Sequence, residues 1–399
     1  MPSRKPKKRI IVIGGGYAGL SVILDLARSD EPEFEILLID KQPASLELVH
    51  LHKTVYTALQ NLQVSYQALA ERHGFQFCSR ELAFDERTLA EWRDSGSLSL
   101  DTKRCAFDYL VICTGGGTPP LEANTSPEFI GDQLINLAQL KTTGAAPLLQ
   151  RFLEETAPVE RSISVIGGGA SGIQFLFELD DFLRLKRQDC ELNLVDASTR
   201  LLANLPPPFH DYTEEKILSR KSTINYLPDT KFILQDQAEI ELEDGSTGKR
   251  FIIPSRLTLL FPGLSAQPVL LNTTPFGQVY CNGKVLPEIF SAGDCADYEG
   301  SGLNTLSAQA AVHKGKAIAE NIRRHALGLP LAQYDYQELG YFVSLGPGDG
   351  IGWMLFKSNV ITGIPAFAIK EAIEAQFSLF LGGFDTYVDP LISSIRRYW

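Results

Sequence analysis

Two glycine-rich turns carry the clearest chemistry in this sequence. The first contains Gly14, Gly16 and Gly19, and the second contains Gly167, Gly169 and Gly172. In a Gly-x-Gly-x-x-Gly turn the first glycine permits a tight bend, the second lets the backbone approach a pyrophosphate, and the third lets a helix pack closely on the preceding strand. The N–H groups at the start of that helix and the helix dipole then attract phosphates. The spacing therefore predicts two dinucleotide-binding sites.

Each turn lies between two strand-like segments. A run rich in β-branched residues precedes it, at residues 10–13 in the first unit and 163–166 in the second. A second apolar segment follows the helical pattern and ends in an acid, Asp40 in the first unit and Asp196 in the second. Continuous apolar runs are expected for parallel strands that are buried on both faces. Each unit therefore follows the βαβ outline of a Rossmann module.

The two aspartates bear on the choice of nucleotide. A carboxylate at the end of the second strand accepts hydrogen bonds from ribose hydroxyls and repels a 2′-phosphate. Asp196 therefore favours NADH over NADPH at the second site. Arg200 lies nearby in the sequence and could bind a 2′-phosphate, so both nicotinamide cofactors stay open.

The internal repeat predicts the domain organisation. We expect an α/β protein with two Rossmann-type, doubly wound domains, the second inserted in the first, followed by a C-terminal amphipathic helical extension. The predicted first domain comprises residues 1–120 and 266–328, the second comprises residues 121–265, and the extension comprises residues 329–399. A chain of 399 residues is long enough for this division.

Composition excludes several other classes. The formal net charge of −11 disfavours nucleic acid as a partner. The six cysteines form no CxxC pair, which argues against a disulfide framework or a metal site and favours a cytoplasmic protein with reduced thiols. No segment approaches the roughly 18 apolar residues that a membrane-spanning helix needs.

A family resemblance follows from four motifs in order: both glycine turns, the turn at Thr114 and Gly115, and the segment FSAGDC at residues 290–295. Over residues 9 to 325 the sequence resembles the two-dinucleotide flavoprotein superfamily. That resemblance implies FAD at Gly14, Gly16, Tyr17, Ala18, Gly19, Asp40, Lys41, Thr114, Gly115 and Asp294. It implies NADH or NADPH at Gly167, Gly169, Gly172 and Asp196.

Within the superfamily the sequence is most similar to type II NADH:quinone oxidoreductases. The match rests on residues 195–202 with the prolines at 206–208, on residues 308–311, and on the C-terminal extension. The resemblance implies hydride transfer from NAD(P)H to FAD and two-electron reduction of a quinone or a similar small acceptor. Two departures stand out: Gln174 replaces the usual glutamate, and His313 and Lys314 replace the usual glutamines.

Three residues are candidates for the catalytic site. Gln174 lies two positions after the last glycine of the second turn, where its amide can position a ring but cannot relay a proton as a carboxylate can. Gln309 can hydrogen-bond a flavin edge or a quinone carbonyl. His313 lies one helical turn later and can donate a proton near neutral pH. Each also has a structural interpretation as an ordinary helix residue.

The segment from Ala366 to Leu381 predicts an amphipathic helix. Ile369, Ile373, Phe377 and Phe380 would form its apolar side, and Lys370, Glu371, Glu374 and Ser378 its polar side. Aromatic residues and arginines follow between Phe384 and Trp399, a combination that suits a membrane surface. A lid on the FAD domain or a homodimer contact is the alternative, so we expect a cytoplasmic protein that is peripheral on the cytoplasmic face of a membrane or free of it.

Two other functions stay open. One is an NAD(P)H-dependent flavin reductase that serves a soluble protein or a specialised metabolite. The other is a flavin redox sensor with low turnover, for which the replacements at Gln174, His313 and Lys314 are the motivation. Sulfide oxidation is disfavoured, because the chain has no cysteine after Cys295.

Overall fold

An eight-stranded sheet forms the core of the first nucleotide-binding unit. The computed structural model describes residues 7–28, 33–116, 133–220, 224–263, 270–300 and 304–386. Numbered along the chain, its strands are β1 (Lys8–Ile13), β2 (Phe34–Asp40), β5 (Gln76–Ser79), β8 (Tyr109–Ile112), β17 (Leu271–Thr273), β18 (Gln278–Cys281), β19 (Lys284–Ser291) and β20 (Ala296–Tyr298). The strand order is β20-β17-β18-β19-β8-β1-β2-β5, and β2, β1, β8 and β19 run parallel.

Helices cover both faces of this sheet because β1 is apolar on both sides. Ile10 and Val12 pack under α1 (Tyr17–Ala27), α2 (Tyr66–His73) and α8 (Ala308–Ala326). Ile11 and Ile13 pack on the opposite side with α3 (Glu86–Ser95). The helices α1 and α8 approach closely at Gly315, where a Cβ would lie 2.4 Å from the Ala18 carbonyl oxygen.

A five-stranded parallel sheet forms the second unit, in the order β12-β11-β10-β16-β9. Its strands are β9 (Leu134–Asn136), β10 (Ser162–Ile166), β11 (Glu191–Val195), β12 (Ile224–Leu227) and β16 (Leu257–Leu260). Around it lie α4 (Leu137–Thr143), α5 (Ala146–Glu155), α6 (Ala170–Leu185), α7 (Pro207–Ser219) and an antiparallel sheet of β13 (Thr230–Asp236), β14 (Glu239–Asp244) and β15 (Arg250–Pro254). The order β11-β10-β16 repeats the order β2-β1-β8 of the first sheet.

Short elements connect these layers. β3 (Ala44–Leu46) pairs with β4 (Gln63–Ser65), and the 3-10 helices Leu48–Val55 and Leu59–Leu62 lie between them. β6 (Ser97–Leu100) pairs with β7 (Lys103–Ala106), and a third 3-10 helix spans Pro158–Glu160. The predicted α/β class with parallel sheets is confirmed. The domain boundaries stay a prediction.

The C-terminal part differs from the predicted helical extension. Before its helix, α9 (Ile364–Leu381), lies an antiparallel sheet of β21 (Gly340–Ser344), β22 (Gly350–Met354) and β23 (Phe356–Thr362), which the sequence analysis missed. The predicted sides of the helix are also partly wrong. Lys370 is only 4% exposed, whereas Ile373 is 38% exposed. The reason is that α9 packs on His50 and Lys53 of the first unit, which pair with Glu374 and Glu371 and bury part of the side that was expected to face water.

The helix α9 and the other described helices are too short or too polar to cross a membrane. The aromatic residues and arginines from Tyr387 to Trp399 lie outside the described residues.

Candidate functional site

The first glycine turn has the geometry that a pyrophosphate requires. Gly14 has φ +97°, and a Cβ on it would lie 2.3 Å from the Cys113 carbonyl oxygen. A Cβ on Gly19 would lie 1.9 Å from the Gly14 carbonyl oxygen. By contrast, a Cβ on Gly16 would meet no described atom within 4 Å. The fold itself therefore requires glycine at positions 14 and 19, whereas Gly16 borders open space.

The second turn repeats this geometry. Gly167 has φ +109°, and its Cβ would lie 2.3 Å from the Phe261 carbonyl oxygen. A Cβ on Gly172 would lie 1.9 Å from the Gly167 carbonyl oxygen, and a Cβ on Gly169 would meet no described atom within 4 Å. β1 and β10 are therefore each followed by a turn of the same shape, which we call a glycine cradle.

Both cradles present free backbone donors. Gly16 caps α1 and Gly169 caps α6, and within the described residues neither cap receives a side-chain hydrogen bond. The first turns of the two helices hold no acidic residue. Unsatisfied N–H groups and the positive end of the helix dipole favour an anion at such a position. A pyrophosphate fits both sites.

The predicted ribose-binding acids lie beside the turns. Asp40 accepts hydrogen bonds from the backbone N–H groups of Gly15 at 2.7 Å and Gln42 at 2.8 Å. Asp196 accepts one from Ser198 at 3.1 Å, and burial raises the pKa of its carboxyl. Each acid is therefore held at the end of its strand, with lone pairs left for ribose.

Two basic residues that the sequence placed near these acids have carboxylate partners instead. Lys41 pairs with Glu81 at 2.9 Å on the surface. Arg200 lies 3.4 Å from Asp211. A 2′-phosphate at Asp196 would have to draw Arg200 away from that partner.

Two further turns lie at the same edge of the first sheet. Thr114 and Gly115 follow β8, and Gly293 and Asp294 follow β19. Because β1, β8 and β19 are parallel neighbours, their carboxyl ends meet. Burial raises the pKa of Asp294, although a hydrogen bond from the Gly116 N–H and the nearby Lys314 oppose this rise. The edge thus gathers the first glycine turn, Asp40, the turn at Thr114 and Gly115, and Asp294, whereas Lys41 pairs with Glu81 on the surface.

Lys314 binds the backbone on both sides of Asp294. It is 2% exposed, and its Nζ donates to the Ala296 carbonyl oxygen at 2.6 Å and lies 3.4 Å from that of Gly293. The lysine that replaces a glutamine of the similar family therefore fixes the turn that carries Asp294.

The three candidate catalytic residues occupy different surroundings. Gln174 accepts a hydrogen bond from Ser344 at 3.1 Å. Gln309 lines a small cavity between α1, α8 and α9, together with Tyr17 and Phe377. The ring of His313 packs on Tyr336, 5.0 Å between centroids, and His313 does not line the cavity. The roles of all three stay predictions.

Sequence reasoning missed a group of charged residues that connects two elements. These elements are α9 and the 3-10 helix Leu48–Val55 with the residue before it. We call this group the ionic strip; its members are Glu47, His50, Lys53, Lys370, Glu371 and Glu374. The two ring nitrogens of His50 lie 2.9 Å from Glu47 and 2.8 Å from Glu374. Lys370 contacts Glu374 at 2.7 Å, and Lys53 contacts Glu371 at 2.7 Å.

Contacts within the ionic strip stabilise the protonated form of His50 and the ionised form of Glu374. Burial lowers the pKa of His50, but hydrogen bonds to Glu374 and Glu47 outweigh burial and raise it. Burial likewise opposes ionisation of Glu374, but His50 and Lys370 lower its pKa overall. His50, Glu371 and Glu374 approach one another as metal ligands do. Since lysines already neutralise both carboxylates, we assign no metal there.

Comparison with known proteins identifies the family. The profile of the family described as pyridine nucleotide-disulphide oxidoreductase matches residues 8–315. The chain belongs to this family. Among curated members, this oxidoreductase is 28% identical over 368 residues to demethylphylloquinone reductase NdbB of Synechocystis sp., covering 85% of each chain. It is 24% identical to type II NADH:quinone oxidoreductase of Staphylococcus aureus, covering 94% of this chain and 96% of that one.

Solved structures agree with this pyridine nucleotide-disulphide oxidoreductase in fold. NDH2 from Plasmodium falciparum, solved with NADH, superposes with a TM-score of 0.75 at 13% identity, covering 93% of this chain and 95% of that one. The sulfide:quinone oxidoreductase of Aquifex aeolicus superposes with a TM-score of 0.74 at 17% identity, covering 94% and 92%. The predicted resemblance to two-dinucleotide flavoproteins is confirmed.

Proposed function

We propose that this chain is an FAD-dependent oxidoreductase that accepts hydride from NAD(P)H and passes two electrons to a quinone. The observation that carries the proposal is the pair of matching glycine cradles, one in each sheet. The named activities of the curated relatives, demethylphylloquinone reduction and NADH:quinone oxidoreduction, point to the same donor and acceptor.

The residues present suit both cofactors. FAD would be held by the edge that joins the first glycine turn, Asp40, the Thr114 turn and Asp294. The nicotinamide nucleotide would be held by the second glycine turn and Asp196. A bound flavin supplies the redox chemistry, because it exchanges a hydride with the nicotinamide and electrons with an acceptor. The protein supplies orientation and exclusion of water.

We place the quinone in the cavity beside Gln309. Its lining is mainly apolar and includes Tyr17, Ile373 and Phe377, which suit a planar ring. The carboxamide of Gln309 can donate a hydrogen bond to a quinone carbonyl. Glu374 of the ionic strip also lines the cavity, so this carboxylate connects it to the titratable groups behind it.

A membrane surface is the proposed source of the quinone. The outward side of α9 and the neighbouring hairpin expose large apolar residues: Ile364 at 71%, Leu379 at 46%, Leu355 at 59% and Phe356 at 71%. Exposed apolar side chains on the helix that also lines the quinone cavity support interfacial binding. We propose peripheral attachment to the cytoplasmic face of a membrane, with a homodimer contact as the alternative use of these residues.

Anaerobic absorbance spectroscopy tests the function. NADH, and separately NADPH, should bleach the bound flavin, and a short-chain benzoquinone should then restore the oxidised spectrum. Ile373→Trp fills the cavity and should slow the recovery by about tenfold, or 1.4 kcal/mol, without slowing the bleaching. Ala372→Trp, on the exposed side of the same helix, should leave both steps unchanged. Flavin that stays oxidised with both nucleotides would contradict the proposal and favour the redox-sensor alternative.

Vesicle sedimentation tests the membrane contact. Phe356→Ser and Leu379→Ser should each weaken binding to vesicles of phosphatidylcholine and phosphatidylglycerol by about tenfold, because burial of a large apolar side chain contributes about 1.5–3 kcal/mol. Val159→Ser removes an apolar residue that is 95% exposed elsewhere and serves as the control. Loss of a dimer in analytical ultracentrifugation, with vesicle binding unchanged, would favour the homodimer.

A further inference from the structure

Glu178 is an acid on α6 that lies almost entirely below the protein surface. The residue is 5% exposed. Its backbone carbonyl oxygen accepts a hydrogen bond from the Tyr56 hydroxyl at 3.2 Å, but within the described residues no hydrogen bond or ion pair reaches its carboxylate. A buried carboxylate without partners costs folding free energy. An uncharged side chain would pack there at lower cost, so the acid requires another explanation.

Glu178 lies on the helix that begins at the second glycine turn. It lies one helical turn after Gln174 and so on the same face of α6. The charged groups that act on it are Asp181 of its own helix, Lys53 of the 3-10 helix, and Lys370 and Glu371 of α9. Ser344 of β21 donates to Gln174 at 3.1 Å and lies 3.5 Å from the ring of His52, a buried titratable residue of the 3-10 helix. Tyr56, which directly follows the 3-10 helix that carries His50 and Lys53, donates its hydroxyl to the Glu178 carbonyl oxygen at 3.2 Å, so this turn of α6 packs beside the ionic strip.

We propose that Glu178 holds the proton that quinone reduction consumes and releases it through the ionic strip to the cavity beside Gln309. This inference rests on the proposed function. It assigns to Glu178 the proton-relaying role for which Gln174 is unsuited, since an amide does not titrate. Glu374, which lines the cavity and contacts both Lys370 and His50, is the last member of the path.

The step balances without a further reactant. Reduction of a quinone by NADH consumes one proton from outside the two molecules: NADH, H⁺ and quinone give NAD⁺ and quinol. The O–H bond of the Glu178 carboxyl breaks, an O–H bond forms on a quinone oxygen, and the carboxylate regains its proton from water. Burial raises the pKa of Glu178 to about 7, so both forms are populated near neutral pH.

The test compares acceptors and pH. The wild type, Glu178→Gln and the surface control Glu155→Gln are assayed with NADH and either a benzoquinone, which takes up protons, or ferricyanide, which does not. Wild-type quinone turnover should fall as pH rises through about 7. Glu178→Gln should lower quinone turnover by about tenfold or more, remove that fall and leave ferricyanide turnover and NADH-driven flavin bleaching unchanged. Glu155→Gln should match the wild type.

Two readouts do not depend on turnover. The infrared carbonyl band of a protonated carboxyl should be present in the wild type below about pH 7 and absent in Glu178→Gln. Because folding raises the pKa of Glu178, ionisation destabilises the folded state as pH rises from the unfolded value towards about 7, so Glu178→Gln should melt at a higher temperature than the wild type at alkaline pH.

A second variant, Asp181→Asn, should move the fall in quinone turnover to lower pH, because Asp181 raises the pKa of Glu178.

The outcomes separate the two claims. If Glu178→Gln keeps the wild-type pH profile and quinone turnover, the inference is wrong and the proposed function stands. If the wild type bleaches with NADH but never reduces quinone, the proposed function and the inference both fail. A loss of ferricyanide turnover equal to the loss of quinone turnover would show that Glu178 has only a structural role.

Discussion

The first and second glycine turns place the same backbone atoms in the same positions, yet their surroundings differ. The clash distances of Gly14 and Gly167, and of Gly19 and Gly172, are equal to a tenth of an ångström. Around the first turn stand three strand ends of one sheet and the hydroxyl of Tyr66, which donates to the Gly15 carbonyl oxygen at 2.9 Å. Around the second, Phe261 directly follows β16, and its ring stacks on Phe175.

The difference indicates how each site is used. A ligand held by several strand ends and enclosed on one side dissociates slowly, which suits a resident cofactor. The second sheet gathers parallel strand ends in the same way, but β9, which corresponds to β19, is followed by Leu137 where the first unit has Gly293 and Asp294. A ligand that lacks this acidic turn exchanges more readily, which suits a substrate. We infer that the repeat supplies the same phosphate cradle twice, and that the additions around the first copy determine which nucleotide stays bound.

Matched substitutions of the third glycine should have the largest effect. In Gly19→Ala and Gly172→Ala the new Cβ would meet a backbone oxygen at 1.9 Å, so helix and strand must move apart at a cost of about 1–3 kcal/mol. Gly19→Ala should yield protein without flavin. Gly172→Ala should retain flavin but raise the KM for NADH by at least about tenfold, or 1.4 kcal/mol. The flavin-to-protein absorbance ratio and steady-state kinetics measure both.

Substitution of the second glycine separates strain from ligand exclusion. Gly16→Ala and Gly169→Ala should leave the melting temperature of the apoprotein unchanged, because their Cβ atoms meet no described atom within 4 Å. They should still weaken nucleotide binding, since the methyl group occupies the space of the pyrophosphate. Loss of flavin from Gly172→Ala would contradict the inferred independence of the two sites.

The sequence predicted these turns because their function needs glycine at fixed spacing, which a local pattern reveals. The contacts of Gly14 with Cys113 and of Asp294 with Gly116 follow from parallel strand order, so the Rossmann outline implied them. The ionic strip could not be predicted, because Lys53 and Glu371 meet although 318 positions separate them. The same contacts explain why Lys370 is buried and why the Glu374 side chain is only 9% exposed, although the two are spaced as on a solvated helix face.

Matched substitutions of the two acids should have intermediate effects. Asp40 accepts two backbone N–H bonds, and Asp40→Asn keeps only one acceptor oxygen. Flavin affinity should fall by about tenfold, as expected when a hydrogen bond to a charged group, about 1.5–3 kcal/mol, is weakened. Asp196→Asn should leave flavin bound and move the ratio of kcat/KM for NADH over NADPH towards NADPH, because the repulsion of a 2′-phosphate is removed.

Arg200→Ala provides the control for the nucleotide ratio. If Arg200 leaves Asp211 to bind a 2′-phosphate, its loss should lower kcat/KM for NADPH and leave that for NADH unchanged. If the ratio of kcat/KM for NADH over NADPH is unchanged in both Asp196→Asn and Arg200→Ala, neither side chain distinguishes a ribose hydroxyl from a 2′-phosphate.

Two tyrosines near the acids provide the smallest and most selective comparison. The Tyr66 hydroxyl bonds the first turn and lies 3.5 Å from Asp40. The Tyr226 hydroxyl lies near Asp196, is buried, and has no hydrogen-bond partner within the described residues. Tyr66→Phe should therefore lower the free energy of unfolding by about 1 kcal/mol, whereas Tyr226→Phe should leave it unchanged or raise it slightly. Denaturant unfolding of the apoprotein measures both.

Nucleotide binding should reverse that order. A hydroxyl that already bonds the protein adds little for a ligand, but one without a partner can bond it. Tyr226→Phe should then raise the Kd for NADH by about fivefold, or 1 kcal/mol, and Tyr66→Phe should not change it. Calorimetric titration of the flavin-loaded protein with NAD⁺ and with NADH decides this. If Tyr226→Phe binds NAD⁺ and NADH as the wild type does, the adenosine half of the nucleotide does not lie beside Tyr226. The contrast between a resident and an exchanging nucleotide must then rest on the strand ends alone.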